Sequence, residues 1–360
     1  MTFSNIELLV GGLILLVVGA DWLVKGASCL ASAFGISPLI IGLTVVAYGT
    51  SAPELAVSVS SAFKGQADLA IGNVIGSNIF NVLFILGVAA MVTPLVVNRQ
   101  LVRLDVPVMI AASFLLFALG YDGKIGKLDG LILFSGAIAY TLYLVYESRK
   151  EQKKAGFAEL AEVPVEEGGH WLGNLGWIAI GLVALVVGSR LLVDSAVSIA
   201  QFYGVSELII GLTIVAAGTS LPEVATSVVA ALKGERDIAV GNVVGSSIFN
   251  IIAVLGLSSL VSPSGIAVTE QALAFDLPVM IAVAVACLPI FFAGYSISRL
   301  NGAIFFGFYI SYVLYLIFNS AGHTAVKTFQ TAFIYGVAPL TVLSLIYMTA
   351  VGVRKHRAAA

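Results

Sequence analysis

The hexapeptide Gly-Thr-Ser-x-Pro-Glu occurs twice in this chain, at residues 49–54 and again at 218–223, each time inside a long apolar run. A carboxylate in such a run is costly unless it is protonated, paired or bound to a cation. The proline at 53 or 222 removes one N–H and crowds the carbonyl four residues back. The Gly-Thr-Ser before it is a weak helix former. The motif therefore predicts a broken helix whose second half begins near Thr50 or Ser51, with Pro53 in the first turn, where proline is tolerated. The break is expected to free carbonyls around Ala47 and Ala216, which in a membrane need a partner within the protein or a bound cation. Glu54 and Glu223 then stand beside those carbonyls as candidate cation ligands.

A second motif, Gly-Asn-Val-x-Gly-Ser-x-Ile-Phe-Asn, follows each copy, at 72–81 and 241–250. Ser77 and Asn81 are four apart and share a helix face, as do Ser246 and Asn250. Gly72 with Gly76, and Gly241 with Gly245, are spaced to let helices approach closely. Two carboxylates plus amide, hydroxyl and carbonyl oxygens suit Ca²⁺ or Na⁺ rather than Zn²⁺ or copper. No thiol or imidazole converges on them: His170 falls in a polar stretch, His323 and His356 near the end, and Cys29 and Cys287 read as small packing residues. The plainer readings are that Ser77, Asn78, Ser246 and Ser247 only pair helices and that the prolines only kink them. Asp68 and Asp237 read as hairpin charges and caps. What sets the glutamates apart is identical placement in two copies.

The elements that must hold these residues are membrane helices. Of 360 residues, 59% are hydrophobic and 11% charged, with a mean hydropathy of +1.04. That excludes a disordered chain, a small disulfide-bonded secreted fold and a soluble globule. A net charge of −2 offers no basic field for nucleic acid. Apolar runs long enough to span about 30 Å of hydrocarbon lie near 6–28, 36–62, 69–92, 104–120, 127–146, 172–194, 205–231, 238–261, 272–294, 301–318 and 331–352, eleven in all. The first run lacks a basic leader and is too long for a cleaved signal peptide. Continuous runs without ten-residue alternation argue against a barrel. With the N-terminus outside, thirteen of the eighteen Lys and Arg fall on the inner side and five on the outer. This bias predicts a cytoplasmic polar loop at 147–170 and a cytoplasmic C-terminus.

The chain repeats itself at an offset of 169: residues 42–87 match 211–256 at 28 of 46 positions without a gap. Five spans separate the copies, so the second is inverted in the membrane. Inverted repeats imply alternating access around a site near the midplane. The first span repeats as well, with Asp21 and Lys25 answered by Arg190 and Asp194. Each pair, four apart, is expected to neutralise itself. The fold expected is an all-α polytopic membrane protein of inverted 5+5 helix repeats plus one extra C-terminal helix. The divisions are residues 1–146, a loop at 147–171, 172–318, and 319–360. Span 11 has no counterpart and is expected at the periphery or at a subunit interface; a homodimer is allowed but not required.

At these motifs the chain resembles the cation/calcium exchanger superfamily, sodium/calcium exchanger type, and in particular compact prokaryotic calcium/sodium antiporters. The resemblance covers residues 5 to about 318. It implies export of Ca²⁺ in exchange for Na⁺ across a prokaryotic inner membrane, with no cofactor and no enzymatic step. It also implies a compact bundle of spans 2, 3, 7 and 8, across which spans 1 and 6 slide. Carried over by motif position, the ligands are Glu54 and Glu223, with Thr50, Ser51, Ser77 and Asn81 from the first repeat. Thr219, Ser220, Ser246 and Asn250 come from the second, and the Ala47 and Ala216 carbonyls complete the sodium sites. Some sodium-coupled relatives carry aspartate where this chain has Asn250, and an asparagine in both copies also resembles proton-coupled exchangers. A Ca²⁺/H⁺ antiporter using the same glutamates is therefore the alternative. The polar loop is too short for the calcium-sensing domains of animal relatives. An ion channel, a membrane enzyme and a purely structural protein are the remoter readings, since no filter or nucleophile is visible.

Overall fold

The computed structural model describes residues 3–158, 171–203 and 216–320, together with isolated positions between 326 and 350. Span 11, the start of span 7 and the end of the polar loop thus lie mostly outside the described residues. The helices are α1 (Phe3–Phe34), α2 (Pro38–Thr50), α3 (Ala52–Phe63), α4 (Ala67–Val92), α5 (Leu101–Leu119), α6 (Lys127–Ala158) and α7 (Trp171–Phe202). They continue as α8 (Leu221–Leu232), α9 (Arg236–Val261), α10 (Ala272–Phe292) and α11 (Arg299–Ser320). Among the described residues, eight helices are long and apolar enough to span a membrane alone, and α2 with α3 form a ninth span bent by 47°.

Several local expectations are corrected. The polar stretch does not leave the helix at Glu147: α6 continues to Ala158. Glu, Lys, Gln and Ala there are good helix formers, and Lys150 pairs with Glu147 at 3.1 Å, one turn away. Asp68 and Asp237 are not caps. Gln66 and Glu235 hold the N-cap positions, and the aspartates sit in the first turns of α4 and α9, where a negative charge complements the helix dipole. Cys287 is buried, but Cys29 is exposed on α1.

α1 and α7 are each 32 residues long, about 48 Å at 1.5 Å per residue, well beyond the hydrocarbon thickness. They run antiparallel with their backbones in contact. A Cβ added at Gly12 would lie 2.8 Å from the Gly188 carbonyl, one at Gly19 2.9 Å from that of Gly181, and one at Gly26 2.9 Å from that of Asn174. Leu13, Ile14, Val183 and Val187 remain exposed on this pair, as helices facing lipid would be.

The two halves are also joined at their rims. The short strand β1 (Leu95–Val96) pairs antiparallel with β4 (Ser296–Ile297), and β2 (Lys124–Ile125) with β3 (Ile266–Ala267). Each ribbon takes one strand from each repeat. Both pairings agree with the inverted arrangement, which puts the turns after spans 3 and 9 on one face and those after spans 4 and 8 on the other. Two buried or half-buried carboxyl groups hold the outer helices: the Tyr140 hydroxyl donates to Asp105 at 2.9 Å, and Tyr312 to Asp276 at 3.0 Å. The offset of 169 does not pick out these aspartates: their shared run Asp-x-Pro-Val-Met-Ile-Ala, at 105–111 and 276–282, repeats at 171 instead.

Candidate ion-binding site

The break expected at the first Pro-Glu motif is present. Ser51 leaves helical geometry at φ −81°, ψ 7°, and α3 starts at Ala52 with Pro53 in its first turn. Ser220 does the same at φ −91°, ψ 8°, before α8 and Pro222. Both serines occupy N-cap positions, yet neither hydroxyl caps its own helix. Instead they cross between repeats. Ser51 Oγ donates to Glu223 Oε1 at 2.9 Å, and Ser220 Oγ donates to Glu54 Oε1 at 2.7 Å. The inverted repeat thus brings each carboxylate to the other half's break. Ser220 Oγ also lies 3.1 Å from Ser77 Oγ.

Glu54 is 0% exposed and Glu223 1%. Each uses only one carboxylate oxygen: Oε2 of both is buried without a hydrogen-bond partner. The side-chain amides of Asn81 and Asn250 are equally buried and equally without partners. Buried polar groups are nearly always bonded, and six of the thirteen exceptions among the described residues gather on these four residues of the two repeated motifs. An oxygen-seeking cation would satisfy all of them together. Asn81 and Asn250 each also open a π-helical turn, 81–86 and 250–255, a local widening common at functional sites. No motif in the sequence announces that widening.

The Ala47 carbonyl differs from expectation. It still accepts the Ser51 N–H at 3.0 Å, and the hydroxyls of Thr50 and Ser246 lie 3.4 Å away. It is thus an oxygen already shared by several donors rather than an orphan. Ala216 opens a single helical turn, 216–218, and the residues before it are outside the described set.

Thr50 and Thr219 lead to two residues the sequence reading passed over. Thr50 Oγ1 donates to Asn242 Oδ1 at 3.1 Å, and Thr219 Oγ1 to Asn73 Oδ1 at 3.2 Å. Asn73 Nδ2 in turn donates to Ser58 Oγ at 2.9 Å and to the Glu54 carbonyl at 3.3 Å. Asn242 does the same to Ser227 Oγ at 2.9 Å and the Glu223 carbonyl at 3.5 Å. These asparagines hold the broken helices against the neighbouring spans. Their signal was available: they are duplicated at the same offset as the glutamates. Asn78 and Ser247 play no such part, since each bonds back to the carbonyl four residues earlier in its own helix, at 2.7 and 2.8 Å. Of the glycines, Gly241 and Gly245 lie against the backbone of α2, where added Cβ atoms would meet the Leu39 and Leu43 carbonyls at 3.0 and 2.7 Å. For Gly72 and Gly76 the residues that match this part of α2 by the repeat, 208–212, lie outside the described residues. Among the described residues no three His, Cys, Asp or Glu side chains cluster; the charge at this site comes from Glu54 and Glu223.

Comparison with known proteins agrees with this geometry. The family model described as "sodium/calcium exchanger protein" matches residues 5–146 and 173–318. The Escherichia coli (strain K12) inner membrane protein YrbG is 44% identical over 263 residues, covering 72% of this chain and 80% of that protein. The sodium/calcium exchanger MaX1 of Methanosarcina acetivorans is 33% identical, covering 88% of this chain and 100% of the relative. Among solved structures, that of the sodium-calcium exchanger NCX_Mj soaked with Na⁺ and Sr²⁺ superposes with a TM-score of 0.75 at 30% identity, over 87% of this chain and 99% of that one.

Proposed function

We propose, for this chain, which belongs to the sodium/calcium exchanger protein family, that Ca²⁺ and Na⁺ compete in alternation for one oxygen-lined site around Glu54 and Glu223. The chain is a multi-pass inner-membrane secondary transporter, with the two matched segments as its repeats and residues 319–360 as an added helix and tail. The observation carrying the site assignment is the gathering of six unpartnered buried polar atoms on the repeated motifs: Oε2 of both glutamates and the amides of Asn81 and Asn250. Ca²⁺ neutralises the two carboxylates. Sodium ions do so in its place, and the hydroxyls of Thr50, Ser51, Ser77, Thr219, Ser220 and Ser246 and the Ala47 and Ala216 carbonyls supply further neutral oxygens. The decisive experiment is flux into proteoliposomes. Calcium uptake is expected to follow an imposed Na⁺ gradient and to ignore a pH gradient; dependence on the pH gradient instead would mean proton exchange at the same glutamates.

The stoichiometry we propose, following the resemblance to sodium-coupled exchangers, is three sodium ions per calcium. On charge alone two would balance the carboxylates, and a third requires the uncharged amides of Asn81 and Asn250 and the other neutral oxygens to spread its charge. Exchange is then electrogenic, and one net charge crossing the membrane is worth about 2.3 kcal/mol per 100 mV. Calcium export driven by inward sodium movement is expected to accelerate as the interior is made negative. A rate indifferent to potential would give two sodium ions.

The orientation proposed is an outside N-terminus with the 147–170 segment and the C-terminus both cytoplasmic, on the strength of the thirteen-to-five division of Lys and Arg. Cysteines introduced at Ala155 and Ala358 are expected to label from the same, inner face. Labelling from opposite faces would mean that residues 331–352 do not cross.

A further inference from the structure

The two ends of the molecule are related by the repeat but are not in the same condition. At one end α1 lies along α8; at the other α7, the copy of α1, has no comparable packing along α3 among the described residues. Exposure follows. Val57 on α3 is 41% exposed, whereas its counterpart Thr226 on α8 is 0% exposed. Ala56 and Ser60 are exposed, and their counterparts Ala225 and Val229 are half-buried. The end beside α8 is thus covered by α1 and the end beside α3 is uncovered among the described residues, an asymmetry of the kind a closed and an open gate would show.

Charge pins the closed gate. Lys233, just beyond the end of α8, forms an ion pair with the Asp21 carboxylate on α1, and its Nζ also donates to the Asp21 carbonyl at 3.3 Å. Asp21 therefore does not neutralise Lys25, as its spacing suggested; Lys25 lies over the Trp177 ring, 5.6 Å from its centre. Nor do Arg190 and Asp194 form an ion pair: among the described residues the ion pairs are Lys233–Asp21 and Lys150–Glu147. Moving by the repeat offset of 169, Asp21 becomes Arg190 and Lys233 becomes Lys64. The equivalent closure at the other end would bring Lys64 toward Arg190, two like charges. Asp194, one turn further along α7, holds the place that Lys25 holds at the closed end.

We infer that Asp21 and Lys233 form a one-ended latch that weights the exchanger toward the state closed beside α8, while Arg190 facing Lys64 weights it against the opposite closure. The inference rests on the alternating-access reading above. With the proposed orientation the latched end is cytoplasmic, so the resting protein presents its site to the outside, where sodium loads. Both members of the pair are partly exposed, with side-chain accessibilities of 34% and 47%. A pair of this kind supports a shift of about two- to fivefold in the ratio of the two states, shrinking in high salt.

The test reads each gate separately and requires no transport. In the full-length protein with Cys29 and Cys287 replaced by alanine, Val57→Cys and Thr226→Cys are labelled in separate preparations with a charged maleimide. Position 57 is expected to react fast and position 226 slowly. Asp21→Asn is expected to raise the rate at 226 and lower it at 57, each by about two- to fivefold. Arg190→Asp, which places an opposite charge before Lys64, is expected to act in the same direction. The exchange Asp21→Lys with Lys233→Asp is expected to restore the starting ratio. A merely structural role for the pair would change thermal stability without reciprocal shifts. If the two rates stay constant or move together in both Asp21→Asn and Arg190→Asp, the latch is overturned. Because labelling reports accessibility alone, that result is distinct from failure of the glutamate site, which only flux reveals.

Discussion

Glu54→Gln and Glu223→Gln are each expected to abolish calcium exchange. Each carboxylate is fully enclosed, held on one oxygen by a serine from the opposite repeat, and left with its second oxygen free of protein partners. Glutamine keeps the size and the serine contact but removes the charge. A divalent ion then faces a single carboxylate in a medium where an uncompensated buried charge costs about 3–5 kcal/mol, or roughly two to three and a half decades in affinity at 1.4 kcal/mol per decade. The loss should appear in ⁴⁵Ca²⁺ flux and in calcium-dependent thermal stabilisation, while the melting temperature without calcium is kept or raised, because two repelling carboxylates have become one. Substantial exchange by either variant would sink the paired-carboxylate site.

Gly181→Val is expected to be the most damaging change outside the site. A Cβ at 181 would sit 2.7 Å from the Gly19 carbonyl oxygen and 2.7 Å from the Leu23 backbone nitrogen, so nothing flexible can yield. The helices α1 and α7 would have to separate along a contact running most of their length. Overpacking of an interior usually costs about 1–3 kcal/mol; backbone-on-backbone collision at a helix seam belongs at or above the upper end. Loss of folded protein in detergent, read by size-exclusion and thermal unfolding, is the expected outcome. Gly11→Ala is the control: the added methyl meets nothing within 4 Å, and stability should be unchanged. A stable, active Gly181→Val protein would mean that the two helices do not need to touch.

The glutamates, the breaks and the repeat were legible in the sequence for one reason. A carboxylate and a proline in an apolar run are energetic exceptions, and exceptions duplicated at a fixed offset point to a site. Uncharged polar residues stand out less. Asn73 and Asn242 are duplicated at the same offset as the glutamates, but an amide in a helix is no energetic exception, and their role shows only where the fold puts Thr219 and Thr50 within reach. Asp21 has a basic residue four positions away, and only the neighbour supplied by the other repeat explains why it pairs with Lys233 instead. The π-helical turns at Asn81 and Asn250 leave no mark in composition or period. The continuation of α6 beyond Glu147 was hidden because charge was read as loop, although the residue types favour helix. Local chemistry was readable; whatever depends on which helix lies next to which was not.

The two rim ribbons bear on how the chain reaches its folded state during synthesis. Leu95 finds its partner only when Ile297 has been made, and Lys124 only when Ala267 has. The first repeat therefore leaves the ribosome with two unpaired strand edges and with the serine on which Glu223 will depend. It must wait, inserted but unfinished, for its inverted twin. Such non-local pairing slows folding. It also means that a protein of half this length could have closed its ribbons and completed its carboxylate contacts only by meeting a second copy of itself inserted the opposite way up. Dual insertion of a single short chain, followed by fusion, is a history that these pairings would accommodate without changing a contact.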